Sequence, residues 1–242
     1  MKKGYMPLTL ATMIQPSKQR HLRALFFSNE TAALLIFGIG FAPITALALT
    51  LMSYCSLSFA SLTLVVPALA LAIGVSSLQR AYGKLMGQGY LMGLVAVACY
   101  DCVRISFILL GWMDDFIPKI GGMLLGDGDQ HLVIGYLWRY LGNAGGMGMA
   151  FVVGFSLLKH RFRVLKMFGE MKCAIFFGVA VWSCLIVTLV LSPNGEDLMF
   201  EITFSSLLLS LIGHVVFGYT LGRLVKRHSL SLMPTGTRVL PE

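Results

Sequence analysis

Long apolar runs alternate with short polar stretches along this chain. Six of the runs are long enough to cross the hydrocarbon core of a bilayer, which takes about 20 apolar residues in a helix. The stretches between them leave no room for a large soluble domain. The pattern therefore predicts an all-α integral membrane protein with six transmembrane helices. These spans 1 to 6 are predicted over Ala32–Cys55, Phe59–Leu78, Gly89–Gly111, Leu132–Leu158, Cys173–Ser192 and Ile202–Gly222.

Charge is distributed unequally between the two sides of this predicted bundle. Lys and Arg gather in the N-terminal tail, between spans 2 and 3, between spans 4 and 5, and after span 6, whereas the opposite connections hold only Lys119. The positive-inside rule then predicts that both termini are cytoplasmic. The acidic residues predicted on the outer side are Asp114, Asp115, Asp127, Asp129, Glu196, Asp197 and Glu201.

Composition supports the membrane class and limits the partners. The chain is 57% hydrophobic and 12% charged, whereas soluble domains carry about 25% charged residues. The net charge of +8 lies mostly at one predicted membrane face, which favours anionic lipids at the cytoplasmic face over nucleic acid as the partner. The five cysteines lie in or beside apolar runs, so neither a disulfide framework nor a zinc site is expected. We expect a bacterial inner membrane and no cofactor.

The parts outside the spans divide simply. Residues 1–30 are predicted to be a basic cytoplasmic tail, either disordered or with a short interfacial helix, and residues 223–242 a second basic tail. Residues 31–222 form the predicted transmembrane domain. Between spans 3 and 4, the segment Trp112–Gln130 is too short to span and too apolar for a free loop, so an interfacial or re-entrant segment is predicted. Its Asp127 and Asp129 lack the spacing of an EF-hand and predict an acidic turn without a metal.

Three formally charged residues lie inside the spans: Asp101, Arg104 and Arg139. A charge at the bilayer centre costs roughly 2.5–3.5 kcal/mol on insertion scales, and such residues pair or line polar pathways. Helix rise places all three, with Asn143 and His214, in the middle to outer half of the membrane. Two interpretations stay open: a substrate or proton pathway, or a buried ion pair that fixes helix register.

The charge count within the spans leaves one positive charge unbalanced. Asp114 or Asp115 folding in from an outer mouth, backbone carbonyls, water or an anionic ligand are the candidates that offset it. Tyr136 is assigned to the same mouth. It begins a stripe in span 4 that continues through Arg139 and Asn143 at helical spacing and is predicted to face inward.

Glycines at small-residue spacing indicate close helix contacts. Such spacing lets the backbones of membrane helices approach one another. We expect spans 3, 4 and 6 to pack tightly through these faces. The pairs are Gly89 with Gly93, Gly142 with Gly146, and Gly218 with Gly222.

The leading functional hypothesis is a small transporter or channel-like protein that handles an anion or a proton. Asp101 would be the protonatable group, Arg104 and Arg139 would attract the anion, and Asn143 and His214 would orient it or relay a proton. A second hypothesis is a non-catalytic membrane subunit or assembly factor, with a homo-oligomeric or membrane partner. A third is an intramembrane enzyme acting on a lipid. The motifs of soluble enzymes are absent, and no catalytic residue is assigned.

Overall fold

The computed structural model describes residues 29–78, 80–159 and 162–228. This part of the chain is helical and contains no strand, and six of its helices are long and apolar enough to cross a membrane. The prediction of an all-helical protein with six candidate spans is therefore confirmed. The predicted interfacial helix before residue 29 and the tail beyond residue 228 lie outside the described residues.

The spans are helical, with a break at Gly169 in span 5, and two of them include a π-helical segment. In span 2 this segment lies just before Pro67, which has no N–H to donate to the carbonyl of Thr63. A wider turn accommodates this missing bond. The helices are Asn29–Leu51 in span 1, Leu57–Ala60, Ser61–Val65 and Val66–Leu78 in span 2, Arg80–Leu109 in span 3, Leu132–Leu137, Trp138–Ala144 and Gly145–Leu158 in span 4, Arg163–Leu191 in span 5, and Phe204–His228 in span 6; short helices Ile117–Leu125 and Gly195–Leu198 lie between spans.

Several helices extend further than the apolar pattern predicted. Span 3 begins at Arg80, so Arg80 and Lys84 lie in its first turns and not in a loop. Span 6 continues past Gly222 to His228, so the predicted C-terminal tail begins as helix. Lys, Arg and Gln are good helix formers. A helix therefore continues through them, although they end an apolar run.

The connections between spans 1 and 2, 3 and 4, and 5 and 6 meet at one end of the bundle. Ser58 Oγ donates to the carbonyl of Leu124 at 2.6 Å, and Ser192 Oγ donates to the carbonyl of Leu51. We call this the acidic end, because it holds the acidic residues of those connections, and the other the basic end. The assignment of these ends to the outer and cytoplasmic sides stays a prediction.

The segment after span 3 forms a short helix, Ile117–Leu125, which we call the connecting helix. It packs on the start of span 4, and its Ile117 and Ile120 are almost fully buried. Gly126 ends it in the left-handed conformation, with φ of 75°, as glycine commonly does after a helix. The segment is thus no free loop, while its placement as interfacial or re-entrant stays a prediction.

Span 4 is the central helix of the bundle. Of the residues in its membrane-spanning window 67% are buried, compared with 11% in span 2. It packs between spans 1 and 3, while span 6 packs on spans 3 and 5. Span 4 therefore carries its polar residues into the middle of the protein.

The glycine pairs pack as close contacts, although not all on the predicted neighbours. Gly93 lies against the carbonyl of Ala144, so a Cβ at this position would collide with span 4. Gly89 faces the same helix. This is the predicted approach of spans 3 and 4.

Span 3 packs on both span 4 and span 6, but the remaining glycine pairs do not form these contacts, which corrects that part of the prediction. Gly142 and Gly146 face span 1, and Gly218 and Gly222 face span 5. Small-residue spacing shows that a helix can approach closely, but it does not identify the approaching helix.

Large apolar side chains cover the outside of the bundle. A monomeric soluble protein rarely exposes continuous apolar patches of this kind, so this surface fits a lipid environment. Strongly exposed examples occur on all six spans and include Leu34, Phe59, Leu109, Val133, Phe176 and Phe204.

Candidate functional site

The centre of the candidate site is an ion pair between span 3 and span 4. Arg139 Nε lies 2.9 Å from both carboxylate oxygens of Asp101, and Arg139 Nη2 lies 2.6 Å from Asp101 Oδ1. Asp101 is 2% exposed. Charge-assisted bonds in which two guanidinium nitrogens hold one carboxylate are among the strongest in proteins. This ion pair therefore joins span 3 to span 4.

Arg104 connects this pair to the segment after span 3. Its Nε lies 3.1 Å from Asp101 Oδ1, and its Nη1 lies 2.9 Å from Asp115 Oδ1. Asp115 Oδ1 also accepts the backbone N–H of Ile117 at the start of the connecting helix. Of the candidates for offsetting the second arginine, Asp115 thus folds into the bundle and supplies the charge. Asp114 does not join it and is exposed.

Tyr136 completes the hydrogen bonding around Arg104. Its hydroxyl accepts from Arg104 Nη2 at 2.5 Å and donates to Asp115 Oδ2 at 3.2 Å. Aromatic faces cover both guanidinium groups: Arg104 Cζ lies 5.6 Å from the ring centroids of Phe116 and Tyr136, and Arg139 Cζ lies 4.6 Å from that of Tyr100. Such cation–π contacts stabilise a desolvated cation.

Two carboxylates and two guanidinium groups make this cluster electrically neutral. We call it the four-charge network; it comprises Asp101, Arg104, Asp115 and Arg139. The Asp101 side chain is 3% exposed, whereas that of Asp115 is 24% exposed. The network therefore runs from the buried core to a carboxylate that water reaches at the acidic end.

Arg139 lies in the π-helical segment Trp138–Ala144 of span 4. Such segments shift the direction of the side chains that follow and occur frequently at functional sites. The predicted stripe assumed regular α-helical spacing, so the sequence pattern missed this segment. Asn143 belongs to it, and its Oδ1 is buried without a hydrogen-bond partner in the described part of the chain. No hydrogen bond between Asn143 and the charged residues is present among the described contacts.

His214 of span 6 approaches the network through an aromatic ring. Its Nδ1 lies 2.8 Å from the carbonyl of Ser210, and its ring is nearly perpendicular to that of Tyr100, with the centroids 5.2 Å apart. Tyr100 also lies under Arg139. His214 is therefore a neighbour of the network by packing, and no hydrogen bond to the charged residues is present among the described contacts.

A cavity of about 500 Å³ opens at the acidic end. Phe116 lines it and also contacts Arg104, so this ring stands between the cavity and the four-charge network. Lys119 spans part of the cavity wall by donating to the carbonyls of Asp197 and Met199, at 3.0 and 3.4 Å. The acidic residues that line the cavity are Asp114, Glu196, Asp197 and Glu201.

The turn before span 4 brings a second acidic group together. Ligand atoms of Asp127, Asp129 and His131 lie within 4.8 Å of one another. Asp127 Oδ1 accepts the N–H of Asp129, and Asp127 Oδ2 lies 2.7 Å from His131 Nε2. Desolvation raises the pKa of Asp127, but the hydrogen bonds with Asp129 and His131, together with the charge interaction with His131, hold the pKa below its ordinary value. The bonds within the turn account for the cluster.

Comparisons with family models, with curated proteins and with solved structures gave no match to this chain. Its helices and site are therefore interpreted on their own geometry. The six apolar helices fit an integral membrane protein; the bacterial inner membrane stays a prediction.

Proposed function

We propose that this protein is a small membrane transporter in which the four-charge network couples the movement of a small anion to that of a proton. The observation that carries the proposal is the charge balance of the network at membrane depth. Because two carboxylates already neutralise the two arginines, an added anion would leave an uncompensated charge in a medium where such charges are costly. An anion accompanied by a proton would not.

Asp101 is the group that takes up the proton in this proposal. In the resting arrangement its carboxylate occupies the donors of Arg139. Protonation removes the negative charge from Asp101, and the Arg139 guanidinium then offers its fork of N–H donors to a carboxylate or phosphate. Asn143 follows Arg139 by one helical turn, and its free Oδ1 is an acceptor for a hydroxyl or amine of the bound solute.

The proton reaches Asp101 from the acidic end. Asp115 is partly exposed there. Its hydrogen-bonded connection to Asp101 runs through Arg104, which stays protonated and cannot pass a proton on, so in this proposal water carries the proton to Asp101. The neighbouring cavity is lined by carboxylates, which attract protons and repel anions. We therefore assign this cavity to proton entry and not to the anion.

Proteoliposomes with a pH-sensitive dye inside test the proposal. An inward proton gradient combined with a panel of small carboxylates and phosphate should give uptake of at least one labelled anion, accompanied by acidification. Arg139→Gln and Asp101→Asn should abolish both signals. Asp129→Asn, which removes an exposed carboxylate outside the network, is the matched control. Absence of flux for the whole panel with folded wild-type protein overturns the proposal.

The complete pairing of the network also favours the second hypothesis, a non-catalytic membrane subunit or assembly factor. All four charges have partners in the described structure, as expected if they fix helix register. This hypothesis predicts a partner that co-purifies in mild detergent and is lost when the network is disrupted, with no solute flux. The lipid-enzyme hypothesis gains no support from His214, because this residue bonds to a backbone carbonyl and packs on Tyr100.

A further inference from the structure

A second cavity lies between spans 1, 4 and 5, toward the basic end of the bundle. Its volume is about 790 Å³. The described residues lining it are apolar except for Lys172 and the weakly polar Cys173. Phe37 comes from span 1 and Gly154 from span 4, while Phe176 comes from span 5. We call this cavity the apolar groove.

The groove has an elongated shape along span 5. Within the apolar part of span 5, its lining residues run from Lys172 to Ala180, a distance of about 12 Å at 1.5 Å per helical residue. Two of its lining residues, Phe168 and Phe176, are 56% and 74% exposed, which shows that the groove is open at the side of the bundle. In a membrane this opening faces the lipid chains.

A break in span 5 shapes the basic end of the groove. Gly169 has φ of 71° and ψ of 170°, which interrupts the helix between Phe168 and the membrane-spanning part. Glycine adopts this conformation without the steric cost of a Cβ. The segment before the break is thereby redirected, and its Val164, Leu165 and Phe168 form a wall of the groove.

Two lysines and one carboxylate, Glu170, lie at the same end as this break, so the charge there is net positive. Lys172 lines the groove one turn after Gly169. Lys159, at the end of span 4, places its Nζ 5.8 Å from the ring centroid of Phe155, another lining residue. The groove thus combines an apolar slot in the bilayer with ammonium groups at its entrance, which complements a hydrocarbon chain that carries an anionic head.

We propose that the apolar groove binds one acyl chain of an anionic phospholipid, whose phosphate pairs with Lys172. Apolar burial holds the chain, and the ammonium group distinguishes an anionic head from a neutral one. The proposal goes beyond transport and does not depend on it, since the groove shares no lining residue with the four-charge network.

Native mass spectrometry of the protein in detergent tests whether Lys172 selects an anionic lipid head group. Phosphatidylglycerol and phosphatidylcholine with identical chains are added separately, and retained lipid is counted. Wild type should retain phosphatidylglycerol in preference, and Lys172→Gln should reduce that retention about fivefold without changing phosphatidylcholine. Lys84→Gln, an exposed lysine on span 3, is the control. Equal retention of the two lipids by wild type, or an unchanged Lys172→Gln, overturns the proposal.

Larger side chains in the lining of the groove test whether an acyl chain occupies it. Gly154→Leu and Ala180→Leu place extra carbons at different positions in the lining, and both should release phosphatidylglycerol. Gly87→Leu adds the same side chain on an exposed face with nothing within 4 Å and should not. Melting temperatures identify the variants that remain folded. Undiminished lipid retention in a folded filled variant, or a wild-type dimer that the filling variants convert to monomer, overturns the lipid assignment.

Discussion

At the scale of single residues, the four-charge network replaces an apparent excess of positive charge with a neutral cluster. The sequence placed Asp101, Arg104 and Arg139 at similar depths, and the structure joins them by hydrogen bonds. Asp115 was one of several candidates for the missing charge. Helical spacing could not select it, because its position depends on the backbone of a non-helical segment, which has no period to read.

The two sides of the central ion pair should respond differently to neutralisation. Asp101→Asn leaves two guanidinium groups with one carboxylate, and arginine stays protonated at any relevant pH. Breaking a buried pair from one side costs about 3–5 kcal/mol, so we expect a loss of this size in the free energy of unfolding. It is measured by chemical denaturation in detergent.

Arg139→Gln should be less damaging, because the remaining Asp101 can take up a proton and become neutral. The loss in the free energy of unfolding of Arg139→Gln, relative to wild type, should therefore become smaller as the pH is lowered. The loss for Asp101→Asn should not. Equal deficits at all pH values would contradict the assignment of Asp101 as the protonatable member. Unfolding curves between pH 5 and about pH 8 make the comparison.

Removing the Tyr136 hydroxyl tests the connection between Arg104 and Asp115. Tyr136→Phe keeps the ring under the guanidinium but deletes both hydrogen bonds. We expect a loss of about 1–3 kcal/mol, since a buried charged donor loses its acceptor. Tyr54→Phe, at a 74% exposed position, should leave the melting temperature unchanged. A similar effect of both substitutions would contradict the geometry around Arg104.

At the scale of helices, close backbone contact and the π-helical segment position the site. Gly93 lets span 3 approach the segment of span 4 that carries Arg139. The apolar pattern predicted six spans, and glycine spacing predicted that spans 3 and 4 meet. Neither hydropathy nor glycine spacing could reveal the π-helical segment, because the residue types in it do not show where the backbone hydrogen bonds change from α-helical to π-helical spacing.

Adding one methyl group to the contact between spans 3 and 4 should separate them. In Gly93→Ala the new Cβ meets the carbonyl of Ala144 and lies 2.9 Å from Gly148 Cα. Overpacking of this kind costs roughly 1–3 kcal/mol, read as a lower melting temperature. Gly87→Ala on the same helix has nothing within 4 Å and should be neutral or slightly stabilising. Equal melting temperatures of the two variants would show that spans 3 and 4 do not approach closely at Gly93.

At the scale of the whole molecule, charge asymmetry defines two ends, and the connections at the acidic end are tied together by hydrogen bonds. Hydropathy and charge predicted this division, because both depend on composition over long stretches. The neighbours of each span depend on local complementarity of surfaces. For example, span 6 packs on span 5 through its glycines. The composition of span 6 does not identify span 5 as this neighbour.

Labelling of single cysteines should establish which end faces outward. In a variant with the five native cysteines replaced, Asn194→Cys at the acidic end should react with an impermeant maleimide in intact cells. Lys226→Cys at the basic end should react only after lysis. Both positions are exposed, so accessibility within the protein is matched. The reverse pattern would contradict the positive-inside assignment.

In the proposed mechanism, the neutral network accepts an anion only together with a proton. Its most direct test is the uptake of a labelled monovalent anion into proteoliposomes whose pH gradient and membrane potential are set independently with ionophores. Electroneutral coupling predicts that uptake follows the pH gradient and does not change with the potential. Uptake that responds to the potential without a pH gradient, or no uptake under any gradient, would contradict electroneutral coupling of anion and proton.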